Sequence, residues 1–182
     1  MKKALIIIDM QNDYFKNGTM ELKSINEALE QTNKLIKYAR EKEYKIYFVQ
    51  HFATKENATF FVPNTQGVEL HKDLNIQNNT IIKKNYPNSF RDTTLQKELK
   101  NENIKQLIIC GAMTHMCIDT TVRAGFDLGY KIELVSDACA TKDLVFKDEV
   151  VKAKEVQKSY MSALGSVFCE VKDTNEMLND KN

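Results

Sequence analysis

A chain of 182 residues and 21.0 kDa has the length of one domain and is too short for two ordinary ones. Its 26 Lys and Arg nearly balance 25 Asp and Glu, so a net charge of +1 gives no long-range pull toward nucleic acid or an anionic membrane. With 42% hydrophobic residues the chain can bury a core, yet its apolar runs, such as Ala4 to Ile8, are strand-sized and far short of a membrane span. The N-terminus carries no apolar h-region and no small-residue cleavage site, so a cytoplasmic protein is expected. Its four cysteines, Cys110, Cys117, Cys139 and Cys169, are then reduced thiols.

Strand and helix patterns alternate along the chain. Lys3–Ile8 reads as the first strand, and the unbroken apolar run ALIII suits a strand covered on both faces of a parallel sheet. Ser24 and Glu27 have capping-box spacing, and Ile25, Ala28, Leu29, Thr32, Leu35, Ile36 and Ala39 then recur at helical intervals. Lys45–Gln50 is the second strand. The stretch from Ala53 to Asn79 is polar and turn-rich but holds Phe60, Phe61 and Pro63, which favours a packed lid over disorder. Thr80–Lys83 is the third strand, followed by a helix from about Thr93 to Lys100 and a fourth strand, Gln106–Cys110. A helix starting near Met116 ends at Gly129, a natural C′ residue. Lys131–Val135 is the fifth strand. A helix with Ala153, Val156, Tyr160, Ala163 and Leu164 on one face leads to the sixth, Val167–Val171. This alternation predicts right-handed βαβ crossovers: a single α/β domain over 1–182, doubly wound, with a six-stranded parallel sheet and helices on both faces.

In such sheets ligands bind beyond the carboxyl ends of the strands. Asp9 follows the first strand there, Gln50 and His51 the second, and Lys83 and Lys84 the third. The fourth leads through GAMTHM to Cys117, and the fifth to Ser136 and Asp137. Cys117 falls in the first turn of a helix, where free N–H groups and the dipole favour a thiolate; the alternative is a buried, inert cysteine. Cys110 and Cys169, placed in strands, and Cys139, placed in a turn, read as packing residues. Asp9 is either a turn former or, if buried, a charge that needs a partner. Lys83 and Lys84 point to opposite faces of their strand, so one of the two can enter a site. His115, two residues before Cys117, faces away from it. The three histidines, His51, His71 and His115, show no metal spacing, and no G-x-G-x-x-G or G-K-S/T phosphate loop occurs. No metal and no cofactor are expected.

Several blocks in fixed order resemble the isochorismatase-like cysteine hydrolases, a superfamily that includes nicotinamidases and N-carbamoylsarcosine amidohydrolases. They are IIIDMQNDYF, FVQH, the F-V-P-N-T-x-G-x-x-L-H loop, KNYPNSF, CGAMTHMCIDTTVRAGFDLGY and SDACAT, and together they span nearly the whole chain. The resemblance implies strand order 3-2-1-4-5-6 and an Asp-Lys-Cys triad made of Asp9, Lys84 and Cys117. Lys84 is preferred to Lys83 because the family lysine stands six residues before the Phe of the N-S-F block, here Phe90. It implies a thioester mechanism, an oxyanion hole from the N–H groups of Met113 and Cys117, and a cis bond before Met113. Tyr14, Phe15, His51, Phe61 and Tyr86, with Phe52 nearby, are the candidate pocket walls for a small substrate.

Two features narrow the family. Val49 stands where nicotinamidases carry the Asp of a D-x-H metal motif, which argues against that activity and against zinc or iron. The cysteine itself argues against the vinyl-ether chemistry of isochorismatases proper. The reading is therefore hydrolysis of a C–N bond in a small amide, ureide or carbamoyl compound. The alternatives are an isochorismatase-type vinyl-ether hydrolase, or a thiol-redox or small-molecule-binding protein. A homo-oligomer is expected, with no nucleic-acid or membrane partner.

Overall fold

A computed structural model describes residues 1–179. Strands β1 (Lys3–Ile8), β2 (Lys45–His51), β3 (Thr80–Lys84), β4 (Gln106–Ala112) and β5 (Lys131–Ala140) lead to a short hairpin of β6 (Leu144–Phe146) and β7 (Glu149–Val151), and the last strand is β8 (Glu170–Lys172). All but the hairpin form one parallel sheet in the order β3-β2-β1-β4-β5-β8, the expected doubly wound topology. β1 lies between β2 and β4, and Ala4 to Ile8 are fully buried, which is why the run carries no polar residue. Helix α1 (Ile25–Glu41) covers one face of the sheet together with α5 (Thr174–Asn179). α2 (Leu95–Asn101) joins β3 to β4, while α3 (Asp119–Asp127) and α4 (Ala153–Gly165) pack against each other over β5 and β8. Among the described residues, no helix is long and apolar enough to cross a membrane.

Several elements depart from expectation. Ser24 makes no capping bond, because its backbone sits at φ −106°, ψ 23° rather than in the extended N-cap conformation. The helix expected from Met116 is divided: Thr114–Ile118 is a π-helical turn and the α-helix starts only at Asp119, although Gly129, with φ +86°, ends it as anticipated. The sixth strand moves from Val167–Val171 to Glu170–Lys172, since the N–H groups of Val167, Phe168 and Cys169 all turn back onto the Leu164 carbonyl at the end of α4. Cys169 thus precedes its strand. Cys139 lies within β5, which runs five residues further than expected past an irregularity opposite Ile109–Gly111. The hairpin was illegible because its turn, at Lys147–Asp148, has no glycine or asparagine; Lys147 itself takes φ +55°.

Candidate active site

The carboxyl ends of three strands deliver the groups of interest. Asp9 comes directly after β1 in a left-handed conformation, φ +54°, which aspartate tolerates. Its N–H donates to the Val49 carbonyl at 3.0 Å and its carbonyl accepts from Gln11 N–H at 2.9 Å, so the turn is fixed on both sides. Lys84 ends β3 as the Cα partner of His51 on β2, and paired residues of adjacent strands present their side chains to one face. Lys83 points the other way and is exposed. Cys117 sits in the π-helical turn after β4. β4 can approach β1 there only because residue 111 is glycine: at φ +122°, a Cβ would collide with the Ile8 carbonyl oxygen. The Ala112–Met113 bond is cis.

These residues meet around one atom. Lys84 Nζ donates to Asp9 Oδ2 at 2.7 Å, to His51 Nδ1 at 2.8 Å and to Cys117 Sγ at 3.2 Å. An ammonium has three protons, and each has an acceptor. Asp9 is 0%, Lys84 1% and Cys117 5% exposed. The second carboxylate oxygen, Asp9 Oδ1, is buried with no hydrogen-bond partner. A carboxylate oxygen of Asp9, a ring nitrogen of His51 and Cys117 Sγ all lie within 4.8 Å of one another.

Burial and position set the charge states. Burial favours a neutral amine at Lys84, but the Asp9 carboxylate and the hydrogen bonds to Asp9 and Cys117 more than offset it, holding the lysine above its ordinary value. Burial, and then the Asp9 carboxylate, push the Cys117 thiol up, with Lys84 pulling the other way by less. The sulfur therefore rests as a thiol. Burial thus works against the thiolate expected from a helix N-terminus, whose dipole contributes only about 0.5 to 1 kcal/mol. Burial first, and then Lys84, lower His51 to about 4, against an opposing effect of Asp9.

The other candidates divide into groups. Tyr14 and Phe61 are buried, pack edge-on with centroids 4.7 Å apart, and Phe61 reaches the His51 ring at 5.7 Å. Burial raises the Tyr14 phenol, with smaller contributions from Cys117, Asp9 and Asp13. Phe15 stacks on His71 at 3.9 Å instead, and the two line a separate cavity of about 460 Å³. Tyr86 is at the surface with the Arg91 guanidinium 3.6 Å above its ring, and Phe52 lies under the Lys83 ammonium. His115 bonds Thr141, not Cys117. Ser136 and Asp137 serve the fold: Ser136 donates to the Lys172 carbonyl, while Asp137 accepts from the N–H and hydroxyl of Thr174. A cavity of about 510 Å³ beside β5 and α4 is lined by neither Asp9, Lys84 nor Cys117.

Three polar residues that the sequence left unassigned hold the frame. Gln11 grips the His51 backbone on both sides, accepting from its N–H at 2.8 Å and donating to its carbonyl at 2.9 Å. Gln11 and Gln50 both donate to the Val68 carbonyl. Asp13 accepts from the Phe61 N–H at 2.6 Å and from Thr19, and a Cβ at Gly67 would strike its carboxylate. The 53–79 loop is thereby held at Phe61, Gly67 and Val68, the last two within a 3-10 turn at Gln66–Val68. The signal for Gln11 and Asp13 was the polar run QND close behind an apolar strand.

Asp9, His51 and Cys117 form a triangle of donors that a metal ion could share. The Lys84 ammonium already stands within 3.2 Å of a donor atom on each, so a metal and the lysine would compete for the same ligands.

A doubly wound α/β domain with a carboxylate, an ammonium and a thiol buried together at its carboxyl edge is the frame of a small hydrolase. The Isochorismatase domain model matches residues 3–165, and the chain belongs to the isochorismatase family. It is 42% identical over 179 residues to the isochorismatase family protein YddQ of Bacillus subtilis (strain 168), covering 98% of this chain and 99% of that one. A solved isochorismatase-type hydrolase structure from Oleispira antarctica superimposes with a TM-score of 0.92 at 39% identity, covering 97% and 96% of the two chains. More distantly, nicotinamidase 3 of Arabidopsis thaliana is 26% identical over 163 residues, covering 82% of this chain and 77% of that one.

Proposed function

We propose that the protein hydrolyses a C–N bond of a small amide, ureide or carbamoyl compound through a thioester on Cys117. The observation that carries this reading is the Lys84 ammonium standing 2.7 Å from Asp9 and 3.2 Å from the Cys117 sulfur. A relative named as a nicotinamidase, an amidase, supports the class of bond.

Since the sulfur rests as a thiol, its proton must leave during attack. The unpartnered Asp9 Oδ1 is the acceptor for it. Sγ adds to the carbonyl carbon, the carbonyl oxygen takes the electron pair, and the N–H groups of Met113 and Cys117 are assigned to that oxyanion. The proton held by Asp9 passes to the nitrogen, the C–N bond breaks, and ammonia or an amine leaves. Water, deprotonated by Asp9, then cleaves the thioester and returns the proton to the sulfur. Lys84 stays charged throughout, paired with Asp9 at rest and with the sulfur as it gains negative charge. A redox role would call for a second thiol acting on Cys117; all four cysteines are free, and the charges that act on this one are Asp9 and Lys84.

The test is ammonia release from a panel of small amides, ureides and carbamoyl compounds, with acid-quenched protein analysed by mass spectrometry. Turnover should come with an acyl adduct on the Cys117 peptide, and hydrolysis with no adduct under any quench would remove the covalent step. Turnover should also persist after dialysis against EDTA, because the Lys84 ammonium already takes up a donor atom on each of Asp9, His51 and Cys117. Loss of activity that zinc or manganese restores would reverse that assignment.

A further inference from the structure

One acceptor of the Lys84 ammonium has no part in the reaction above. His51 Nδ1 lies 2.8 Å from Nζ, and since the ammonium can only donate, Nδ1 carries a lone pair and the ring proton is on Nε2. The ring does not hang on a free rotor. Gln11, fully buried, holds the His51 N–H and carbonyl at once, and β2–β3 register sets His51 beside Lys84. Phe61 packs near its ring.

We propose that His51 is a positioning residue: by accepting the third ammonium proton through Nδ1, it keeps Lys84 between the Asp9 carboxylate and the Cys117 sulfur. The purpose of that arrangement rests on the hydrolase reading, but the arrangement itself does not. A neutral acceptor is the group the place requires. A carboxylate would draw the ammonium away from the sulfur and add negative charge that opposes a thiolate. An aliphatic residue would leave one buried N–H unsatisfied and the ammonium free to turn from the sulfur in search of another acceptor. The charged groups acting on the ring are Lys84 and Asp9, and the same two act on the sulfur. Burial and Lys84 keep His51 neutral, near 4, so the acceptor survives across neutral pH.

The experiment reads the sulfur directly and needs no substrate. Wild-type protein and His51→Ala, His51→Asn and His51→Gln are treated with iodoacetamide at pH 7.5, and the rate of alkylation at Cys117 is followed by peptide mass spectrometry. Circular dichroism and thermal melts establish that each variant is folded. Asparagine can place its Oδ1 close to where Nδ1 stood; glutamine reaches past it. His51→Ala and His51→Gln should alkylate about tenfold more slowly, the loss of one charge-assisted hydrogen bond to the developing thiolate, while His51→Asn stays within about threefold of wild type. Loosening of the loop around Phe61 would speed alkylation, so the direction separates positioning from packing. Equal rates in all four proteins, faster reaction in His51→Ala, or equal loss in the alanine and asparagine variants would overturn the proposal. If the rates follow the expected order while the wild-type protein hydrolyses none of the amide panel, the hydrolase reading fails and the positioning role stands.

Discussion

Cys117→Ala should abolish hydrolysis, lowering turnover of any substrate found by about 10⁴-fold or more, as loss of a nucleophile does in covalent hydrolases. The fold should survive, since only one sulfur atom is lost from a packed region, a cost of about 1 kcal/mol. Cys110→Ala is the matched control. Cys110 is as deeply buried, but its sulfur faces the Thr32 hydroxyl on α1 at 3.8 Å, and burial lifts it to about 12. It should retain turnover within a few-fold of wild type. Near-normal turnover by the Cys117 variant, assayed alongside its thermal melt, would end the covalent mechanism whatever the substrate.

Lys84→Met should damage both activity and stability, and the second effect is the more informative. The ammonium is the counter-charge of a carboxylate that is 0% exposed. Removing it strands the Asp9 charge in a dry site, which costs about 3 to 5 kcal/mol when one partner of a buried pair is deleted. Turnover should fall by about 10³-fold, because the sulfur loses its cationic partner as charge develops. Adding Asp9→Asn to the same chain removes the stranded charge and should recover much of the stability without recovering activity. Denaturant unfolding of the two proteins decides the matter. A single variant as stable as wild type would mean that Asp9 is not held as a paired anion.

The sheet could be read from the sequence because its strands are marked by apolar runs such as ALIII and LIIC and, after the first three, by a polar residue at the carboxyl end. The site was half-legible for a reason visible in β3. Its sequence, Thr80-Ile-Ile-Lys-Lys, puts an isoleucine and a lysine on each face, so a slip of one residue exchanges Ile81 for Ile82 and Lys83 for Lys84 with little change in apolar burial. Periodicity cannot choose between the two lysines, and only the spacing to Phe90 did so. The structure shows what fixes the register: Lys84 meets Asp9, His51 and Cys117, and the Phe52 N–H donates to the Lys84 carbonyl. Contacts that join residues far apart in the chain, such as Gln11 to His51 or Asp13 to Phe61, leave no periodic trace and stayed hidden. The shifted last strand and the hairpin were missed because three-residue strands are too short for a pattern to show.

The resting thiol at Cys117 also governs how the protein ages. Peroxide attacks thiolates and hardly touches thiols, so a sulfur kept protonated and almost wholly out of solvent is shielded from the first step toward sulfenic acid. In the proposed reaction the thiolate forms as Asp9 takes the proton, so at rest only a small fraction of the sulfur is in its reactive form. Peroxide should therefore oxidise the resting protein slowly at this position.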